Sequence, residues 1–213
     1  MVPRPQARWP AALALLVLLL LIQGLPDHYR VWPGWAGYLV FGACLASMAG
    51  VALGGGGRRW LDAERVVVGG TAALVIATQA YALVVLIGRV IGPEEASDGL
   101  ALLTSAVAIW ACNVVGFALL FWQLDSGGPR ARLEGGGQPD WLFVEQANPE
   151  AVPPDWRPGF VDYLFLGFST ATAFSTTDML PLTPRAKLLM MAEAMISLVT
   201  LAVVAARAIN VLG

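Results

Sequence analysis

The residues able to do chemistry in this chain are few, and they gather near its C-terminal end. From Gly159 the sequence reads GFVDYLFLGFSTATAFSTTD, an apolar start followed by the hydroxyls of Ser169, Thr170, Thr172, Ser175, Thr176 and Thr177, closing on Asp178. Further on, Glu193, Ser197, Thr200, Val204 and Arg207 recur at intervals of four, three, four and three, so all five share one face of a helix. The rest of that helix is Leu, Met, Ile, Val and Ala. Hydroxyls and carbonyls in a narrow passage can replace part of an ion's water shell. A carboxylate on an otherwise apolar helix is costly and usually faces a bundle interior or a water-filled cavity. The stripe therefore either lines a conduction path or bonds a neighbouring helix. Arg207, close to the end, reads as a snorkelling anchor.

Nothing else in the chain suggests catalysis. His28 is the only histidine and Cys44 and Cys112 the only cysteines, which leaves too little for a metal site or a disulfide framework. The one histidine falls outside the apolar stretches, and no paired acids sit inside them, so no nucleophile–base pair is expected. We expect no enzyme, no catalytic residue, no metal and no cofactor. Cys44 and Cys112 read as small core residues, and His28 beside Asp27 as a solvated loop pair.

These residues need a scaffold, and composition names its class. Of the 213 residues, 57% are hydrophobic and 13% charged, far from the balance of a soluble domain. A net charge of −2 excludes a basic nucleic-acid footprint. Apolar stretches of about the length needed to cross a bilayer run over 9–25, 35–53, 66–91, 99–122 and 186–212. Trp9, Trp32, Trp35, Tyr38, Trp60 and Trp122 stand at their ends, as an interfacial belt requires. The first stretch, behind Arg4 and Arg8, has the look of a signal peptide. No small-x-small site follows Ile22, so it is expected to remain as a span. The expectation is an all-α integral membrane protein, multi-pass in the cytoplasmic membrane and in contact with its lipid. It divides into a transmembrane region over 1–123, a polar Gly/Pro-rich irregular loop over 124–157, and a third part over 158–213. Gly42, Ala46, Gly50 and Gly54 form a small-residue strip suited to close helix packing, while Gln79 and Asn113 are amides that should bond adjacent helices.

The third part holds the ambiguity. A helix over Phe160–Ala171 is only ~18 Å long, about half a bilayer. Bare backbone cannot follow it in lipid unless protein or water shelters it. Two architectures follow: five spans plus a re-entrant half-helix, or six spans with the hydroxyls bonded back to their own helix. Charge bears on orientation, because short cytoplasmic loops collect Lys and Arg. With the N-terminus cytoplasmic and a half-helix, Arg4, Arg8, Arg58, Arg59, Arg65, Arg130, Arg132, Arg157, Arg185 and Lys187 lie inside, ten of thirteen. A full crossing gives nine of thirteen.

From Asp162 to Leu212 the chain resembles the pore module of two-helix potassium channels, with pore helix, filter and inner helix in order. The family's filter run of threonine, threonine, valine, glycine, tyrosine, glycine and aspartate is met by Thr172, Ala173, Phe174, Ser175, Thr176, Thr177 and Asp178. Its proline-x-threonine-proline exit is met by Pro181 to Pro184. The inner helix EAMISLVTLAVVAARAI is similar to EALIGQLYLAVLVARLV, with Ser197 at the hinge-glycine position. The chain also resembles a group of bacterial multi-pass membrane proteins without an assigned activity, which share LDxGGP (here Leu124 to Pro129), FVDYL and ATAFSxTD. The potassium-channel resemblance implies a pore at Thr172 to Asp178 with Glu193 and Thr200 below it, a fourfold assembly of copies and a monovalent cation as permeant. It does not carry potassium selectivity, since the two filter glycines are here Ser175 and Thr177. The usual channel orientation would leave only three of thirteen basic residues cytoplasmic, so either the loop is inverted or the segment crosses. The competing expectation is a non-conducting membrane partner or scaffold acting through 124–157.

Overall fold

The structure is a computed structural model that describes residues 7–54, 57–91, 99–135, 137–154, 156–172 and 179–212, with the side chains of 89–91, 99–102 and 206–212 not described. Among the described residues eight α-helices and a two-stranded sheet follow in order: α1 (Trp9–Gly24), α2 (Gly34–Leu53), α3 (Arg58–Ile91), α4 (Gly99–Leu124), α5 (Pro129–Glu134), β1 (Trp141–Phe143), α6 (Val144–Ala147), α7 (Phe160–Ala171), β2 (Met179–Pro181) and α8 (Pro184–Leu212). The fold is all-α in its framework. Among the described residues four helices, α2, α3, α4 and α8, are long and apolar enough to cross a membrane. Helix α1, at 16 residues, and α7, at 12, are apolar but shorter.

Prolines and glycines set the boundaries. Pro10 begins α1, Pro33 precedes α2, and α2 stops at Gly54. Helix α8 opens with Pro184, and the Thr183 hydroxyl accepts the Ala186 N–H at 3.1 Å, a side-chain N-cap. Helix α3 starts two turns before the apolar stretch read from sequence. Its first turns are amphipathic, and Glu64 on their inner face, fully buried, pairs with Arg8 at 3.3 Å.

Helix α4 is the hub of the bundle, packed against α1, α3, α7 and α8. At one end, hereafter the loop end, an aromatic plug closes the core. Trp141 of β1 lies 4.8 Å from Phe121, Phe143 5.2 Å from Tyr163, and Trp122 5.8 Å from Phe160 between ring centroids. The 124–157 segment is therefore not simply irregular. It carries α5, β1 and α6, and its Trp141 and Phe143 are buried, because aromatic side chains gain more from the core than a polar loop loses by folding onto it.

Asp27 and His28 are exposed in the short turn after α1; Asp27 also pairs with Arg30 at 2.6 Å, and the His28 ring lies 4.2 Å from that of Tyr29. On the small-residue strip, Gly50 and Gly54 make room for the Trp60 ring of α3, while an added Cβ at Gly42 would meet nothing within 4 Å.

Candidate functional site

The site is framed by α4, α7 and α8, and it hangs from a hydrogen-bonded clasp at the loop end. The LDSGGP run turns the chain sharply after α4, with positive φ at Ser126 (55°), Gly127 (80°) and Gly128 (95°). At Gly128 a Cβ would meet the Gln123 carbonyl oxygen at 2.9 Å, so only glycine fits. The turn buries Asp125. Its Oδ1 accepts the N–H groups of Asp140 (2.8 Å) and Trp141 (3.4 Å), and its Oδ2 accepts the hydroxyls of Tyr163 (2.7 Å) and Ser126 (3.1 Å). Arg132 donates to the Asp125 carbonyl at 2.8 Å and lies over the Tyr163 ring. Asp140 in turn accepts the Thr183 hydroxyl at 2.6 Å and pairs with Arg185, tying the start of α8 to the end of α4.

From this clasp α7 runs into the bundle antiparallel to α4. Phe160 sits by Trp122, Gly167 by Ala118 and Val114, and Phe168 by Trp110 at 6.0 Å. Twelve residues carry it ~18 Å, against ~39 Å for α4. Yet β2, eight positions beyond the end of α7, pairs antiparallel with β1, Met179 opposite Phe143, and Leu182 donates to the Asp140 carbonyl at 2.8 Å. The chain enters and leaves at the loop end. Then α8 runs the length of the bundle beside α4 and α7.

Beside Gly167 of α7, polar side chains of α4 and α8 form a buried cluster. Glu193, Ser197 and Asn113 are fully buried and Thr200 is 1% exposed. The Asn113 amide donates to the Glu193 carbonyl at 3.2 Å and to the Ser197 hydroxyl at 2.9 Å. Gly167 allows the approach, since a Cβ there would stand 3.1 Å from the Val114 carbonyl oxygen and 3.2 Å from Glu193 Oε1. Neither Glu193 carboxylate oxygen, nor Asn113 Oδ1, has a hydrogen-bond partner among the described residues. An ionised carboxylate is costly in an apolar interior unless a proton, a hydrogen-bond donor or a cation offsets it.

The stripe read from sequence is thus one contiguous feature at Glu193, Ser197 and Thr200, facing α4 inside a single chain. It does not face outward toward other copies; the exposed side of α8 is Leu188, Met191, Met195, Leu198 and Leu201. Within one chain Glu193 and Ser197 adjoin Asn113 of α4, whereas the pore that the resemblance implies involves further copies of the chain. Arg207 lies on α8 some ~21 Å farther along, its side chain outside the described residues. Thr172, just past α7, donates its hydroxyl back to the Phe168 carbonyl at 2.8 Å, as Thr170 does to Leu166 and Thr200 to Ile196. Ala173, Phe174, Ser175, Thr176, Thr177 and Asp178 lie outside the described residues. Asn113 bonds an adjacent helix as expected, whereas Gln79 Oε1 has no partner among the described residues. Among the same residues no three His, Cys, Asp or Glu side chains are grouped as metal ligands.

Sequence reasoning missed Gly167, Asp125, Asp140 and Tyr163. The LDxGGP run was the available signal for Asp125, since consecutive glycines behind an acid mark a turn that buries it. The chain matches no known family model, no curated protein and no solved structure.

Proposed function

We propose that this chain is an integral membrane protein that passes protons or small monovalent cations along a route inside each single chain, channel-like but without potassium selectivity. One observation carries the reading: Glu193 is buried beside Gly167 of a half-length helix, and neither carboxylate oxygen has a hydrogen-bond partner among the described residues. Ionisable side chains inside membrane bundles mark proton and ion pathways, which supports this reading. In this reading α1, α2, α3, α4 and α8 cross the bilayer, and α7 with the Ala173–Asp178 run is a re-entrant segment giving access from the loop end. Arg8, Arg58, Arg59, Arg65, Arg130, Arg132, Arg157, Arg185 and Lys187 cluster at that end, which supports reading it as cytoplasmic, the inverse of the usual channel orientation. The proposed route lies within each chain, and a fourfold assembly is no part of the proposal.

The test is flux into liposomes holding the purified full chain. The native protein should dissipate an imposed proton or potassium gradient, and Glu193→Gln should slow it at least tenfold. Flux equal to that of empty liposomes, or unchanged in Glu193→Gln, overturns the proposal. A scaffold acting through 124–157 has less support, because among the described residues of that segment only Val144 is a large apolar side chain left exposed.

A further inference from the structure

What the buried cluster around Glu193 leaves over is acceptors. Both carboxylate oxygens and Asn113 Oδ1 lack a hydrogen-bond partner among the described residues, on side chains that are fully buried. Chemistry fixes which way the Asn113 amide points. Its nitrogen donates to the Glu193 carbonyl at 3.2 Å, and a carbonyl can only accept, so the amide oxygen is the atom left without a partner.

The helices beside Glu193 bring no counter-charge. Helices α3, α4 and α7 pack against α8. Helix α4 has no charged residue, α7 has only Asp162 in its first turn, and the charges of α3 stand over 58–65 and at Arg89. The other titratable groups on these helices are Tyr81, which is exposed, Cys112, which is a buried free thiol, and Tyr163, which donates to Asp125 at the loop end. On α8 itself Arg185 pairs with Asp140 at the loop end.

Room is as scarce as charge. A Cβ on Gly167 would stand 3.2 Å from Glu193 Oε1 and 3.1 Å from the Val114 carbonyl oxygen, so that side of the carboxylate takes no methyl group unless its neighbours give way. A metal ion arriving there would have to exchange its water shell for several oxygens at once. A proton needs neither shell nor space.

We propose that the species passed at Glu193 is the proton alone, an inference that rests on the route proposed above and narrows it. The step is one O–H bond made and broken. A carboxylate oxygen takes a proton that hydronium delivers from one side, and yields it to water on the other.

The experiment uses the full chain in liposomes loaded with potassium and diluted into sodium or choline buffer. Valinomycin sets the potential, a pH-sensitive dye reads proton entry, radioactive sodium reads sodium entry, and vesicles without valinomycin report potassium loss. The native protein should pass protons at least about tenfold faster than Glu193→Gln, and at the same rate in sodium as in choline. Glu193→Asp, which keeps an exchangeable carboxyl, should pass them faster than Glu193→Gln. Sodium entry and potassium loss should stay at the level of empty liposomes. Sodium or potassium flux that Glu193→Gln abolishes, slower proton entry in sodium than in choline, or Glu193→Asp no faster than Glu193→Gln overturns this inference and leaves the proposed function standing. No flux of any ion, or proton flux unchanged in Glu193→Gln, overturns both.

Discussion

Replacing Asp125 by alanine should open the clasp that holds the half-length helix in place. The side chain is 1% exposed and accepts four hydrogen bonds. Ser126 can turn to water, and the 3.4 Å bond from Trp141 is long enough to count for little. Two buried donors remain stranded, the Tyr163 hydroxyl and the Asp140 N–H, each costing ~1–3 kcal/mol when left unmade. The total is ~2–6 kcal/mol. Helix α5 hangs on the same residue, through Gly128 N–H and Arg132 to the Asp125 carbonyl, so local opening should expose the bond after Arg132, itself 9% exposed. Trypsin cleaving there reads the open population when reclosing is fast. At the low end, ~2 kcal/mol corresponds to cleavage roughly 30-fold faster in Asp125→Ala. Asp125→Asn keeps the carbonyl for the two backbone donors, and Tyr163 can rotate to accept from its amide, so its rate should fall between. In Asp125→Ala/Tyr163→Phe one stranded donor is gone, and the two effects should combine less than additively. Cleavage of Asp125→Ala within threefold of the native rate would refute the account of the clasp.

Other expectations are simpler. Trp141→Ala removes the centre of the aromatic plug and should lower stability by ~3–5 kcal/mol, seen as a lower midpoint of thermal unfolding in detergent. Arg8→Ala leaves Glu64 buried and unpaired and should cost ~3–5 kcal/mol, while Arg8→Met with Glu64→Leu should return to near the native midpoint. Gly167→Val forces a side chain between Val114 and Glu193 and should cost ~1–3 kcal/mol while slowing liposome flux; Gly42→Val, in open space, should change neither.

Much of this framework is legible in the residues, and the reason is periodicity. The half-length helix read over Phe160–Ala171 has the same bounds as α7, since Gly159 before it and the hydroxyl run after it bracket one apolar stretch. The four-three-four spacing of the polar stripe places Glu193, Ser197 and Thr200 together, as found. What they face was not legible. Spacing within one helix fixes a face, but only packing of α4 decides that the face is closed inside one chain. Whether the segment crosses or turns back was equally hidden, because it depends on β2 pairing with a three-residue strand nearly forty positions earlier. Asp140 looks in sequence like one more acid in a polar loop, and its role comes from Thr183 and Arg185, more than forty residues away.

The turning back of the chain after α7 is the claim on which the rest depends, and a reporter fused after Gly213 tests it most directly. Alkaline phosphatase there should be active, and green fluorescent protein dark, while a reporter inserted at Gly135 gives the cytoplasmic pattern. A cytoplasmic signal from both positions would mean that the segment crosses, and would contradict the account.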